Sequence, residues 1–347
     1  MTSLEVVHFL WVAVLVGLPV IIAGSRMLGV RRVGTLALLQ DSCPVVLGLV
    51  WIALAVAVAM RAWNIAVVAG VVATYHVCLV VSLLRARPVP DWVGTAPTTT
   101  LAVANIYVDN DELEAASRQL LSKCADHLVV LESNPEFRRV FDEVGGLSMY
   151  PFRTFDAEDR SDYASSMYSR REPLSIRMIT IGELSAAQAI VDVRGLQLQI
   201  LGVIPSAAVE SGGYELWHRQ MESLVRYARR SSIPLVVAGD LNTTIHRVAY
   251  NDIRQAGLDD AHDDLGFGLR PSFKLAAKGL LSKLGPLVRL DHALTNRWVW
   301  ATDVEDLDPI GSDHRPFVVT LAVKAAGTGR GHRRARSLYG KEGAKFT

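Results

Sequence analysis

Two strings decide how this chain reads: Gly311-Ser312-Asp313-His314-Arg315-Pro316 and, upstream of it, Gly239-Asp240-Leu241-Asn242. Each sets a carboxylate beside, or two residues from, a neutral hydrogen-bonding partner. Each also adjoins an apolar, β-branched run: Pro234-Leu235-Val236-Val237-Ala238 leads into the second string and Phe317-Val318-Val319-Thr320-Leu321 follows the first. A side chain at a strand end is held firmly by the sheet yet faces a cleft. Two such pairs on neighbouring strands suit metal-assisted cleavage of a phosphate ester. One pair holds a cation and an acid–base imidazole, and the other orients a water or a phosphate oxygen.

From Thr98 onward, strand and helix patterns alternate. Strands are expected over 98–107, 126–132, 174–181, 186–193, 196–204, 235–242, 287–294 and 317–323, and helices over 109–123, 214–229 and 248–256. This pattern predicts one α/β domain of two packed sheets with helices outside. Glu132 follows the buried run Leu128–Leu131, where it serves as a hard-cation ligand or begins a loop in water. Asn105 ends the neighbouring strand and is placed to support the same metal or to hold phosphate. In extended chain Asp240 and Asn242 face one side, the Asp to orient a water and the Asn to hold a phosphate oxygen. Asp313 and His314 diverge at a strand entry, so that one reaches metal and the other the scissile phosphate. Asp291 is placed to hold the His314 imidazole in one tautomer. His292 points the opposite way and reads as structural, and His218, His246 and His262 read as solvated or packed.

In order along the chain, Asn105, Leu131-Glu132, Tyr168-Ser169-Arg170-Arg171-Glu172-Pro173, Gly239-Asp240-Leu241-Asn242, Arg289-Leu290-Asp291 and Gly311–Pro316 resemble the endonuclease/exonuclease/phosphatase superfamily, the pancreatic deoxyribonuclease-like fold. The resemblance covers roughly 98–324. It implies a four-layer α/β sandwich, two mixed β-sheets flanked by helices, and divalent-metal-dependent cleavage of phosphoester bonds with Mg²⁺ or Mn²⁺. It implies metal binding at Glu132 with support from Asn105 and Asp313. It implies water or phosphate orientation by Asp240 and Asn242, an acid or phosphate-stabilising role for His314 positioned by Asp291, and substrate contact by Arg170. Two departures stand out. Family members carry a His or Tyr where this chain has Val203 or Ile204, and the Thr-Trp of a later loop is replaced by Ser272-Phe273.

The 347 residues are 50% hydrophobic, and mean hydropathy is +0.24. The excess sits at the N-terminus, where 6–25, 42–60 and 62–84 are free of charge. Each approaches the roughly 20 residues that cross a bilayer. The expected organisation is a membrane anchor of three transmembrane helices (1–87), a linker with Pro88, Pro90 and Trp92 (88–97), the hydrolase domain (98–325) and a basic tail (326–347). The Gly- and Arg-rich tail reads as disordered, either a patch for anionic lipid or nucleic acid or a solvated end. Arg26, Arg31 and Arg32 in the first loop, with Arg85 and Arg87 after the third segment, place that loop and the domain in the cytoplasm of a multi-pass inner- or plasma-membrane protein. Three cysteines without metal spacing give neither a disulfide framework nor a zinc site. A net charge of +1 gives no mandate for nucleic acid.

The expectation is thus a membrane-anchored phosphoester hydrolase. Its substrate is a nucleic acid, a nucleotide or a phospholipid headgroup, and no protein partner is evident. The competing expectation is a catalytically impaired family member that binds a phosphorylated ligand or partner, because an aliphatic side chain near position 204 donates nothing to a phosphate.

Overall fold

The computed structural model describes residues 13–31, 34–154, 165–207, 213–274, 283 and 285–326. The basic tail after position 326, residues 6–12 of the first apolar run and Arg32 lie outside the described residues. Among the described residues, twelve strands form two six-stranded sheets. The first sheet has the order β11-β12-β1-β2-β4-β3 and the second β5-β6-β7-β8-β10-β9. In the first, β1 (Thr98–Asn105) lies between β12 (Phe317–Val323) and β2 (His127–Leu131), with β4 (Ser165–Ser169), β3 (Phe152–Thr154) and β11 (Val299–Asp306) outside them. In the second, β7 (Leu196–Val203) and β8 (Leu235–Asp240) are parallel. They are flanked by β6 (Leu184–Val193) and β5 (Ser175–Ile181) on one side, and by β10 (Asp291–Asn296) and β9 (Leu258–Asp260) on the other.

Strand periodicity sorts the side chains into layers. Leu101, Val103, Val129 and Leu131 of the first sheet meet Ile200, Val236, Ala238 and Ala293 of the second in the central core. The opposite faces pack on helices. Ala102, Ala104, Leu128 and Val130 lie under Leu113–Ser122 and Pro135–Glu143. Leu201, Val203, Val237 and Leu294 lie under Gly213–Arg230. The result is the expected helix–sheet–sheet–helix sandwich. Most expected strands appear within a few residues of their bounds. The segment expected over 287–294 is shifted, so Asp291 begins β10 rather than lying inside a strand. The strands Phe152–Thr154, Ser165–Ser169 and Val299–Asp306 were not expected, being short or interrupted by polar residues.

The N-terminal region corrects the reading of three transmembrane helices. Among the described residues one helix, α4 (Trp63–Leu84), is long and apolar enough to cross a membrane, or two if a bent pair counts as one span. That pair, α2 (Gly34–Asp41) and α3 (Cys43–Ala59), breaks by 79°. The break falls at Ser42, just before Pro44, whose ring and missing N–H are tolerated only in a helix's first turn. The first apolar run yields a π-helical turn, Ala13–Gly17, and α1 (Leu18–Met27). Ten residues of α-helix reach only about 15 Å, half of a bilayer core. An uncharged run says nothing about where a helix breaks, and the count of apolar residues therefore overstated the number of spans.

Helices α3 and α4 pack as a hairpin whose turn is at Arg61, and both of its free ends touch the α/β domain. The segment read as a linker is packed. Arg87 pairs with Asp259 and Asp264, Val93 joins Trp300 and Ala322 in a small apolar cluster, and Lys324 sits over the Trp92 ring. Arg31 of the first loop pairs with Asp252, so that loop and the domain lie on the same side of the hairpin.

Candidate active site

The topology brings six chain positions to one rim. β1 and β2 run parallel and end there, with Asn105 opposite Leu131. β12 is antiparallel to β1 and begins there, so the loop before it delivers Ser312–His314. In the other sheet β7 and β8 end at the same rim, and antiparallel β10 begins there with Asp291 opposite Asp240. Parity aims the side chains. Asn105 follows Leu101 and Val103 on the central face, Asp240 follows Val236 and Ala238, and Asp291 precedes Ala293.

The two sheets are joined through Asn105. Its Nδ2 donates to Glu132 Oε1 at 2.9 Å and to Asp240 Oδ2 at 3.3 Å. Glu132 Oε2 accepts from the Val108 amide at 2.8 Å. Glu132 sits at φ 55°, a left-handed backbone that costs a non-glycine residue about 1–3 kcal/mol. That turn directs its carboxylate at Asn105. The Ser312 hydroxyl donates to the Asn105 carbonyl and accepts from the His314 amide, which ties the β12 entry to the end of β1.

His314 is buried with Nδ1 2.8 Å from Asp291 Oδ2 and Nε2 3.6 Å from Asp240 Oδ2. Asp291 is itself fixed by the Ser272 hydroxyl at 2.6 Å, and that same oxygen accepts from the Leu290 and Asp291 amides. The Phe273 ring lies 4.9 Å from the imidazole. Burial lowers the proton affinity of the imidazole, but the carboxylates of Asp291 and Asp240 outweigh it and push His314 up to about 10. Burial also raises Asp291, yet His314 and the hydrogen bonds around it hold that carboxyl below its ordinary value. Asp240 is pushed up to about 7 by burial, opposed by His314 and reinforced by Asp291 and Glu132. His314 is thus a cation at neutral pH, and Asp240 is poised to exchange a proton there.

Gly239 and Gly311 explain the glycine that opens each motif. At φ 145° a Cβ on Gly239 would strike the Val203 carbonyl, and at φ 62° one on Gly311 would strike Asn110. Asn242 corrects the extended reading of Gly-Asp-Leu-Asn. It turns left-handed (φ 50°), its amide donates to Asp240 Oδ1 at 2.8 Å, and its Nδ2 donates to the Pro205 carbonyl at 2.9 Å. One side-chain amide hydrogen remains for a ligand.

Arg170 is not at this rim. β4 is antiparallel to β2 and pairs Ser165 with Leu131 and Ser169 with His127, so Arg170 emerges at the far end of the sheet. It lies opposite Asp126, six residue steps of strand and roughly 20 Å from Glu132. There its guanidinium donates to the Cys124 carbonyl in solvent. His292 faces the helix side as expected, between Asp260 and the Thr243 carbonyl. His262 is packed against Phe317 and bonded to Asp306. The position left open between Val203 and Ile204 resolves by parity. Val203 lies under Gly213–Arg230, whereas Ile204 packs toward the central core on the side of Asp240. Ser272 was noticed only as a departure from the family. Its place after Pro271 in a loop, with no apolar period, gave no signal that it would clamp Asp291.

The donor set suits a hard cation. Glu132, Asp240, Asp291 and Asp313 lie around the His314 imidazolium, and burial raises Glu132 and Asp313, with Asp313 also disfavouring charge on Glu132. Asp313 Oδ1 is buried with no hydrogen-bond partner. Oxygen donors with excess negative charge and an unmatched carboxylate oxygen are what a divalent ion of the Mg²⁺ or Mn²⁺ kind takes. Asp240, Asp291 and His314 also offer atoms within 4.8 Å of one another. There the Nδ1–Asp291 bond accounts for the closeness.

A family model described as the Endonuclease/Exonuclease/phosphatase family matches residues 102–314. The chain belongs to that family. Its members are hydrolases of phosphoester bonds. Solved structures agree on the fold. An endonuclease/exonuclease/phosphatase from Beutenbergia cavernae superposes with a TM-score of 0.53 at 16% identity, covering 67% of this chain and 73% of that one. A family protein from Bacteroides vulgatus gives 0.53 at 15% identity, covering 65% and 99%. D. rerio TDP2, crystallised with a single-strand DNA product, gives 0.52 at 15% identity, covering 65% and 99%. Among curated proteins no sequence matches the chain. The endonuclease/exonuclease/phosphatase domain accounts for the rim described above, while the N-terminal helices lie outside the matched residues.

Proposed function

We propose that the chain is a Mg²⁺- or Mn²⁺-dependent phosphoester hydrolase held at a bilayer by its α3–α4 hairpin, with its domain on the cytoplasmic side. The observation that carries this reading is the Asp291–His314–Asp240 chain, set at the same rim as the Asn105–Glu132 pair and Asp313. Glu132 and Asp313 would hold the metal, with Asn105 fixing Glu132. The cation would supply Lewis-acid polarisation of a phosphoryl oxygen and a template for in-line displacement. Asp240 accepts the proton of the attacking water. His314, kept cationic and oriented by Asp291, offers Nε2–H to the phosphoryl or leaving oxygen. The free amide hydrogen of Asn242 holds a non-bridging oxygen.

Substrates are nucleic acid, nucleotide or phospholipid headgroup. D. rerio TDP2 was crystallised with single-strand DNA, which places DNA on the assay panel. The exposure of Trp63, Val67 and Val71 on the apolar hairpin supports adding lipid headgroups to that panel. The test is turnover by the full chain of DNA, RNA, phosphoinositides, sphingomyelin and a generic phosphodiester, with Mg²⁺ or Mn²⁺.

Two expected results arise here. Glu132→Ala should weaken Mn²⁺ binding in calorimetry by more than the roughly ten- to hundredfold that losing a supporting hydrogen bond costs. Equal affinity in wild type and variant would remove Glu132 from the metal site. Ile204→His should raise kcat by about tenfold or more, a share of the roughly hundred- to ten-thousand-fold a placed proton donor contributes. An unchanged rate would mean that the cleft no longer needs the group. The second reading, a phosphate-binding protein with little catalysis, is favoured by that same aliphatic side chain at Ile204.

A further inference from the structure

The loop Thr243–Ala249 follows Asn242 directly, has little regular structure, and is buried along most of its length. Its hydrogen-bonding groups are not satisfied within the domain alone. The Thr244 amide donates to Asp41 Oδ1 at 2.9 Å, and the Thr244 hydroxyl donates to the same oxygen. The Val248 amide donates to Gln40 Oε1 at 3.0 Å. The Arg247 guanidinium is fully buried and bonds both oxygens of Asp41. Its flat face covers the Trp217 ring at 4.4 Å, and Trp217 Nε1 donates to the Leu241 carbonyl in the middle of Gly-Asp-Leu-Asn. Gln40 is fixed in turn by Ser25 Oγ and the Val30 carbonyl. Both acceptors come from the last residues of α2, at the 79° break.

We propose that Asp41 is a positioning residue of the active site. Through Thr244 and Arg247 it fixes the loop that begins at Asp240 and Asn242, so the N-terminal helices complete the support of the catalytic rim. The catalytic part of this statement rests on the hydrolase reading above, and the structural part does not. A buried amide or guanidinium left without its acceptor is unfavourable, so the loop should open when Asp41 loses its charge. The same connection explains why the helix breaks where it does. Asp41 must leave the apolar hairpin to reach the domain.

The test uses the full chain in detergent micelles. Hydrogen exchange is read on peptides covering 241–248, beside kcat and KM on whichever panel substrate the wild type turns over. Asp41→Asn should speed exchange in 241–248 by about tenfold or more, and lower kcat by about ten- to a hundredfold with KM within about twofold. Asp41→Glu should recover most of both. Exchange in 241–248 that stays at the wild-type rate, or a kcat that does not fall while exchange rises, would overturn the proposal. If Asp41→Asn does not fold, Gln40→Ala decides, since it removes an acceptor without stranding a charge. Faster exchange at 244–248 supports the proposal and unchanged exchange refutes it. A wild type inert on every substrate would sink the hydrolase reading, and the exchange result would still judge whether the helices hold the loop.

Discussion

Replacing His314 by alanine is expected to lower kcat by about a hundred- to ten-thousand-fold, or about 3–5 kcal/mol of transition-state stabilisation. The size follows from what the imidazole carries. It is a buried cation among the carboxylates, kept charged by Asp291 and Asp240 despite its burial. Its Nδ1 is committed to Asp291, which leaves Nε2 for the substrate. With no donor at Ile204, nothing on the opposite strand shares the task. The variant should also lose stability, because the buried Asp291 would lose its counter-charge and keep only the Ser272 hydroxyl as a side-chain partner. The stabilisation by His314 is fully present below its ordinary value of 6.5 and is lost as pH rises through about 10. The melting temperatures of wild type and variant should therefore converge in alkaline buffer. A variant that keeps wild-type kcat would remove His314 from the chemistry.

Asp240→Asn should cost a comparable factor, about a hundred- to ten-thousand-fold in kcat, and it should also change the shape of the pH profile. Burial among Asp291 and Glu132 pushes Asp240 up to about 7, so in the wild type the rate should climb through that region as its proton leaves. The rate should then fall toward about 10, where His314 loses its own. An amide cannot titrate, so the rising limb should vanish in Asp240→Asn while the falling limb persists. The sign is definite. Asp240 is useful only when deprotonated, and lowering the pH must slow the wild type. A residual rate in the variant with the rising limb intact would assign the base to another carboxylate.

Much of this site is legible in the sequence, for two physical reasons. Strand periodicity fixes which side a residue faces, and a run of buried β-residues fixes where the strand ends. Asn105, Glu132, Asp240 and His314 were read from those two facts, and Asp291 from its partnership with the imidazole. The parts that failed depend on direction and on partners. Arg170 also follows a strand, but that strand runs antiparallel to β2 and carries Arg170 to the far end. Asn242 was read as extended, whereas a left-handed turn and the Pro205 carbonyl set its direction. Ser272 gained its role only when the loop 271–274 folded beside β10. At the N-terminus, apolar length was visible and the break was not. Gln40 and Asp41 directly precede the uncharged run 42–60, and nothing local reveals that Thr244, Arg247 and Val248, some two hundred residues later, need their oxygens.

The family relationship sets the class of chemistry, and the rim's own geometry says how this chain would perform it. What separates a working hydrolase from a phosphate-binding relative is the aliphatic Ile204 where the family carries a donor. The most direct measurement is therefore hydrolysis by the full chain across the phosphoester panel, with Mg²⁺ or Mn²⁺ and then with the metal chelated, and His314→Ala run beside it. The account predicts slow turnover of at least one substrate that disappears on chelation and in the variant. Wild type and His314→Ala equally inert on every substrate, while a phosphorylated ligand still raises the melting temperature of both, would contradict it.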